Sequence, residues 1–185
     1  MPDLRILNII NENDEIVDEA TRTEIHQNGL LHRETHVWFY TPKGEIIFQH
    51  RAKDKDTYPD LLDATVGGHV EIGQTYEETA VKETEEETGV TLSIKDLLPL
   101  KKIKRRSEDL VTNTINNAFK MEYAYLYKGD IKDLRIEVGK ILSFEAVPIE
   151  KLGHLTEEEG KRFVPLLLES EFQGIFKEIR KLTRT

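Results

Sequence analysis

The segment GGHVEIGQTYEETAVKETEEETGV, residues 67–90, concentrates the side chains best suited to chemistry. Glu83, Glu86 and Glu87 stand at i, i+3 and i+4, and at about 100° per residue these positions share one face of a helix, stacked a turn apart. Three carboxylates on one arc repel one another unless a cation sits among them. A run of glutamates is by default a solvated face, but Glu77 and Glu85 lie off this arc. Gly67 and Gly68 stand just ahead, where a backbone turn lets a carbonyl, that of Gly67, approach the same ion. Oxygen-only ligands of this kind select Mg2+ or Mn2+ rather than zinc. His69 follows the glycines directly, within reach of a second metal or of a substrate phosphate.

The elements that must position these groups follow from local signals. Thr75 and Glu78 form the S/T-x-x-E capping pattern, Gly89 supplies a stop, and Ala80, Val81, Thr84 and Thr88 give a buried face, so a helix spans the acidic run. Upstream, Leu4 to Val17 reads as a hairpin turning at Asn11–Asp14, and Glu19 to Asn28 as a helix ending at Gly29. From His36, HVWFYTPKGEIIFQHRA is a second hairpin around Pro42, Lys43 and Gly44, followed by a polar loop and a strand or turn at Ala64–Val66. Downstream, LLPLKKI, TINNAFKMEYAYLYK and EVGKILSFEAV read as strands, the last ended by Pro148. Thr156 and Glu159 offer another cap, and FVPLLLESEFQGIFKEIRKL has helical periodicity, with Pro165 tolerated near its start. The reading is α/β with a mixed sheet, plus an N-terminal β-hairpin extension over residues 1–28.

Composition narrows the options. A chain of 185 residues suits one compact domain, residues 1–185. The absence of cysteine removes disulfides, thiolate zinc sites and cysteine nucleophiles. A formal charge of −9 disfavours nucleic-acid polymers. The N-terminus lacks a basic flank and no run of membrane-spanning length occurs, so a cytoplasmic protein with no membrane partner is expected. A homodimer is left open.

The acidic stretch resembles the Nudix box, G-x5-E-x7-R-E-U-x-E-E-x-G-U, with U bulky and apolar. In the register fixed by Gly68, the residues Glu83, Glu86, Glu87, Gly89 and Val90 match. Gln74, Lys82 and Thr84 depart, standing for Glu, Arg and the apolar residue. Gln74 and Lys82 are at a spacing suited to contact, so both changes could belong to one pair. Lysine lacks the planar fork of arginine, which implies looser orientation of Glu83. The resemblance implies a Nudix-type α/β/α sandwich and a hydrolase cleaving a diphosphate linkage in a small, nucleoside-diphosphate-like substrate.

The stretch GLLHRETHVWFYTPKGEIIFQHRAKDKDTYPDLLDATVGGHVEIGQ is similar to the branch holding isopentenyl-diphosphate isomerases and hydrolase-like relatives. Those isomerases carry a cysteine where Gly67 stands, and several histidines plus a downstream E-x-E pair around a metal. His26, His32 and His69 would be remnants of that set, while Asn116, Asn117 and Ala118 replace the carboxylates. Isomerase chemistry, which needs a positioned acid and base, is therefore expected to be disabled. His36, His50 and His154 are expected to pack or face solvent.

In the hydrolase reading, Gly67, Glu83, Glu86 and Glu87 hold Mg2+ or Mn2+, and Glu83 or Glu87 activates the water. Glu137 or Glu145 are the alternatives for the base. Arg51 and Lys53, with Gly68 and His69, face the substrate. Two other readings stay open: an isomerase-like enzyme, and a weakly catalytic module that binds diphosphates.

Overall fold

In the computed structural model, which describes residues 3–55, 57–110 and 112–183, the chain opens with an antiparallel hairpin, β1 (Ile6–Ile10) and β2 (Ile16–Thr21). Helix α1 (Arg22–Asn28) follows at once. It starts three residues later than the sequence suggests, because Thr21 and Glu24 form a reciprocal cap that fixes the start, while residues 19–21 complete β2. Gly29, with φ +64°, ends it.

The central sheet is mixed and is built around β3 (His32–Tyr40). β4 (Glu45–Arg51), β5 (Leu62–Asp63) and β6 (Val66–His69) come next in the chain, then α2 (Tyr76–Thr88), then β7 (Leu98–Asp109), β8 (Thr114–Leu126) and β9 (Ile141–Pro148). β3 runs parallel to β8 along its whole length, and the other pairings are antiparallel. Two one-turn helices, α3 (Ile149–Leu152) and α4 (Glu157–Gly160), lead to α5 (Ser170–Leu182). The cap at Thr156 therefore starts only α4, and the helical pattern expected from Phe163 is interrupted by a tight turn at Pro165–Leu168 before α5 begins.

Strand periodicity of two explains the layers. Val37 and Phe39 face α2 with Ile47, Val66, Ala80 and Tyr123. Trp38 and Tyr40 face the other way, with Phe48, Phe172, Ile175, Phe176 and Ile179, under α5. Helices thus cover both faces of the sheet.

Gly67 and Gly68 are not in a turn. They lie in β6, opposite His36 and Thr35 of β3. The chain reverses afterwards, at Gly73, whose φ of +81° suits glycine.

Candidate active site

β4 pairs with β3 only through Phe39–Ile47 and Tyr40–Ile46; beyond that Gln49 and His50 pair with β5, while β9 lines the other edge of β4 along its whole length. β6 takes over the same edge of β3 from Val37 back to Glu34. The sheet is therefore forked, and a cleft of about 150 Å3 opens there, lined by residues of β3, β4 and β6, by α2 and by the chain before α5.

From α2, Glu83 and Glu87 enter this cleft. Both are buried. A side-chain oxygen of Glu87 (Oε2) accepts from the Gly67 amide at 3.2 Å and from Gln49 at 3.4 Å. Burial, reinforced by Glu86, raises the Glu83 carboxyl to about 7, and burial together with Glu83 raises Glu87. Glu86 itself is exposed and lines a separate shallow groove with Lys82 and Arg135, so only two of the three carboxylates converge. The role of Gly68 is steric: a Cβ there would lie 2.5 Å from Glu83 Cδ. This glycine cradle, the mutual repulsion and the oxygen donors together fit a hard divalent ion.

A second donor set opens on the same cleft. His26, His32, Glu34 and His69 offer one ligand atom each within 4.8 Å of one another. The Nδ1 atoms of His26 and His32 face the carbonyls of Ile115 and Leu30 at 3.3 and 3.0 Å. A carbonyl only accepts, so each neutral ring is protonated at Nδ1 and presents an Nε2 lone pair. His69 Nε2 lies 2.9 Å from His26 Nε2 and 3.2 Å from Glu34 Oε1. Glu34 Oε2 is bound by Lys120 at 2.6 Å, and Asn116 reaches both oxygens. Burial alone would raise Glu34, but the Lys120 ammonium holds it well below the usual range. Burial lowers His26 to about 4 and His69 well below its ordinary value. Neutral imidazoles beside an ionised carboxylate suit a borderline transition ion rather than Mg2+.

Among the expected cations, Arg51 lines the cleft, but its guanidinium is engaged: Nη1 meets Asp63 at 3.0 Å, and Nη2 and Nε donate to the carbonyls of Thr57 and Tyr58. It braces the loop after β4. Lys53 is 75 % exposed, sits 3.9 Å from Asp60 and does not line the cleft. Lys55, Lys140, Lys120, Arg22 and Arg5 line it instead. Glu137 pairs with Lys140 and Glu145 with Arg162, and neither lines the cleft. Lys82 meets Glu71 at 2.8 Å and not Gln74, which is 3.4 Å from the same oxygen.

Sequence reading passed over Glu34 and gave His36 only a packing or solvent-facing role, although His32, Glu34 and His36 alternate along one strand face. His36 lines the cleft, with Nδ1 3.2 Å from Glu122 Oε1 but without hydrogen-bond alignment. His50 meets Asp60, as a surface residue would. Trp38, Phe39 and Tyr40 are core, and Tyr58 and Phe172 line the cleft.

Comparison with known proteins adds to the geometry. The NUDIX domain profile matches residues 30–167. An uncharacterized Nudix hydrolase of Clostridium acetobutylicum is 26 % identical over 85 % of this chain and 83 % of its own length. Nudix hydrolase 3 of Arabidopsis thaliana is 31 % identical over 86 % of the chain, a stretch that makes up 21 % of that larger protein. A crystal structure from Deinococcus radiodurans superposes with a TM-score of 0.69 at 22 % identity, covering 94 % of this chain and 98 % of that one. The NUDIX domain of Shewanella oneidensis NrtR, solved with ADP ribose, superposes with a TM-score of 0.53 at 14 % identity, covering 79 % and 88 %.

Proposed function

The chain belongs to the NUDIX domain family and is a Nudix hydrolase, and from that premise we propose that it cleaves a diphosphate linkage in a small nucleoside-diphosphate-like substrate with Mg2+ or Mn2+. The observation carrying this reading is the buried Glu83–Glu87 pair opening on a cleft ringed by Lys55, Lys140 and Lys120. The ADP ribose held by the NrtR domain is consistent with a substrate of this class.

A divalent ion at the carboxylates supplies charge neutralisation for diphosphate oxygens and makes water more acidic. The chain's own residues do the rest. Glu83 or Glu87, both buried in the cleft, can take the proton of the attacking water. Water oxygen bonds to phosphorus as the bridging P–O bond breaks, giving two phosphoryl products. Lys55 and Lys140 face the charge that builds on the transferred group. The amide of Gly67 and the side chain of Gln49 orient Glu87.

The isomerase alternative has less support, since Gly67 offers no side chain where a catalytic one is needed and His36 packs against that position. In this reading the chain forms one domain, with residues 1–28 an extension that contributes to the cleft through Arg5, Arg22 and His26.

The test is a panel of nucleoside di- and triphosphates, sugar nucleotides, ADP ribose and isopentenyl diphosphate, assayed with Mg2+ or Mn2+. Phosphate, pyrophosphate or nucleotide release, abolished in Glu87→Gln, is the expected result. Binding without turnover would convert the reading to a recognition module, and conversion to the dimethylallyl isomer would replace it.

A further inference from the structure

Two arginines of the N-terminal extension stand outside the residues matched by the family profile, yet both line the cleft. Arg5 precedes β1, and Arg22 is the first residue of α1. Backbone contacts fasten the two segments together. The Arg22 amide donates to the Arg5 carbonyl at 2.8 Å, and Thr23 donates to the Asp3 carbonyl through its amide at 3.3 Å and its hydroxyl at 2.9 Å. A bridge between Leu7 and Glu71 ties the hairpin to the turn before α2. The arginines are thus carried on a fixed wall.

Both guanidinium groups converge on one carboxylate. Asp3 Oδ2 accepts from Arg5 Nη2 at 2.6 Å and from Nε at 3.1 Å, and Arg22 Nη1 lies 3.7 Å from the same oxygen. Arg5 holds Asp3 down at about 2, so it is an anion at neutral pH. The same Arg5 feels the charges of Glu83 and Glu71, which puts it within electrostatic range of the carboxylate end of the cleft. A guanidinium fork binds a phosphoryl group as it binds a carboxylate, and a phosphate dianion carries more charge. Asp3 is held through its backbone, so its side chain can turn away while the wall stays in place.

We propose that Arg5 and Arg22 form a second anion subsite for the terminal phosphoryl group of the substrate, with Asp3 as a built-in stand-in for that group. The inference rests on the hydrolase reading and narrows it: diphosphates or triphosphates ending in a free phosphoryl group are preferred over diphosphates capped at both ends, such as ADP ribose. Asp3 competes with that terminal group for the same donors.

The two side chains therefore have opposite effects. Calorimetric titration of the full chain with inorganic tripolyphosphate is expected to show affinity falling about tenfold in Arg5→Ala, equivalent to roughly 1.4 kcal/mol, and rising severalfold in Asp3→Asn. The ratio of kcat/KM for a nucleoside triphosphate to that for ADP ribose should move in the same two directions. Affinity shifting the same way in both variants, or in neither, would overturn the subsite, as would an equal loss on capped substrates in Arg5→Ala. Arg5 is exposed, so that variant is expected to fold, and thermal unfolding checks it. Tripolyphosphate binding is measured without divalent metal, hence without turnover, so failure of every diphosphate to be hydrolysed would count against the hydrolase reading alone.

Discussion

His26 Nε2 and His69 Nε2 lie 2.9 Å apart, with the Nδ1 proton of His26 committed to the Ile115 carbonyl. Two lone pairs at that separation repel. Either His69 turns its own Nε2 proton into the gap, or a cation fills it for His26, His32, Glu34 and His69 together.

Cobalt distinguishes the two states. Co2+ added to the protein should give the intense visible absorption of a four-coordinate N/O site, unaffected by excess Mg2+ and lost in His69→Gln. Lys120→Met, which strips Glu34 of its 2.6 Å partner, should weaken the site by about tenfold or more. A spectrum unchanged by His69→Gln would remove the cluster as a metal site.

Glu87→Gln should separate activity from stability. Turnover with Mg2+ is expected to fall on the order of 100-fold or more. At pH 8 without metal, the variant should nonetheless unfold at a higher temperature than the parent, because a buried, repelled charge has been removed. Full turnover in a folded variant would refute the catalytic assignment.

The pH dependence of stability carries two opposed signs. Glu83 is raised from 4.5 to about 7, so across that window the folded chain keeps a proton the unfolded chain has lost, and stability falls as pH rises. His26 is lowered from 6.5 to about 4, so between those values the unfolded chain holds the extra proton and stability rises with pH. The carboxylate contribution is isolated by difference: the stability of Glu83→Gln minus that of the parent, both without metal, should grow from about pH 4.5 to 7 and then level off. A flat difference would mean that Glu83 ionises normally.

Glycines 68 and 73 should respond differently to alanine. Gly68 has an ordinary strand backbone, but its new Cβ would strike Glu83 at 2.5 Å, so the main effect should be weakened Mg2+ activation, with a stability loss of about 1–3 kcal/mol. Gly73 has open space but φ +81°, so Gly73→Ala should cost about 1 kcal/mol in chemical denaturation through backbone strain alone. Equal Mg2+ dependence in the two variants would contradict the cradle.

Lys82→Ala should cost at most about 1 kcal/mol, since its partner Glu71 and the ammonium are each about one-third exposed. Gln74→Glu should not improve stability, because it places a second negative charge beside Glu71. A gain on the order of 1 kcal/mol in urea unfolding would show that Gln74 and Lys82 do form the operative pair.

Much of this arrangement was legible in residue order. The capped acidic helix, the hairpins and the long downstream strands all carry short-range signals: Thr75 with Glu78, Gly44 in its turn, alternation in HVWFY. What local patterns could not reveal depends on distant contacts. Glu83 and Glu87 part from Glu86 because Gly67 and Gly68 lie in a strand beside the first two, and Lys140 reaches the cleft because β9 pairs with β4. Arg51 looked like a free cation, yet the loop after β4 folds back and claims its donors. Glu34 was readable in principle, since His32, Glu34 and His36 repeat every second residue, but apolar neighbours made the strand look like core alone.

That same alternation ties the cleft to register. Along the parallel β3–β8 ladder, from His32–Ala118 to Tyr40–Leu126, a slip by one residue would turn Glu34 and His36 into the oily layer under α2 and move Val37 and Phe39 out of it, into the layer that holds Trp38 and Tyr40. The polar residues that line the cleft from β3 thereby also forbid the wrong zipper, so removing them would loosen the uniqueness of the strand match.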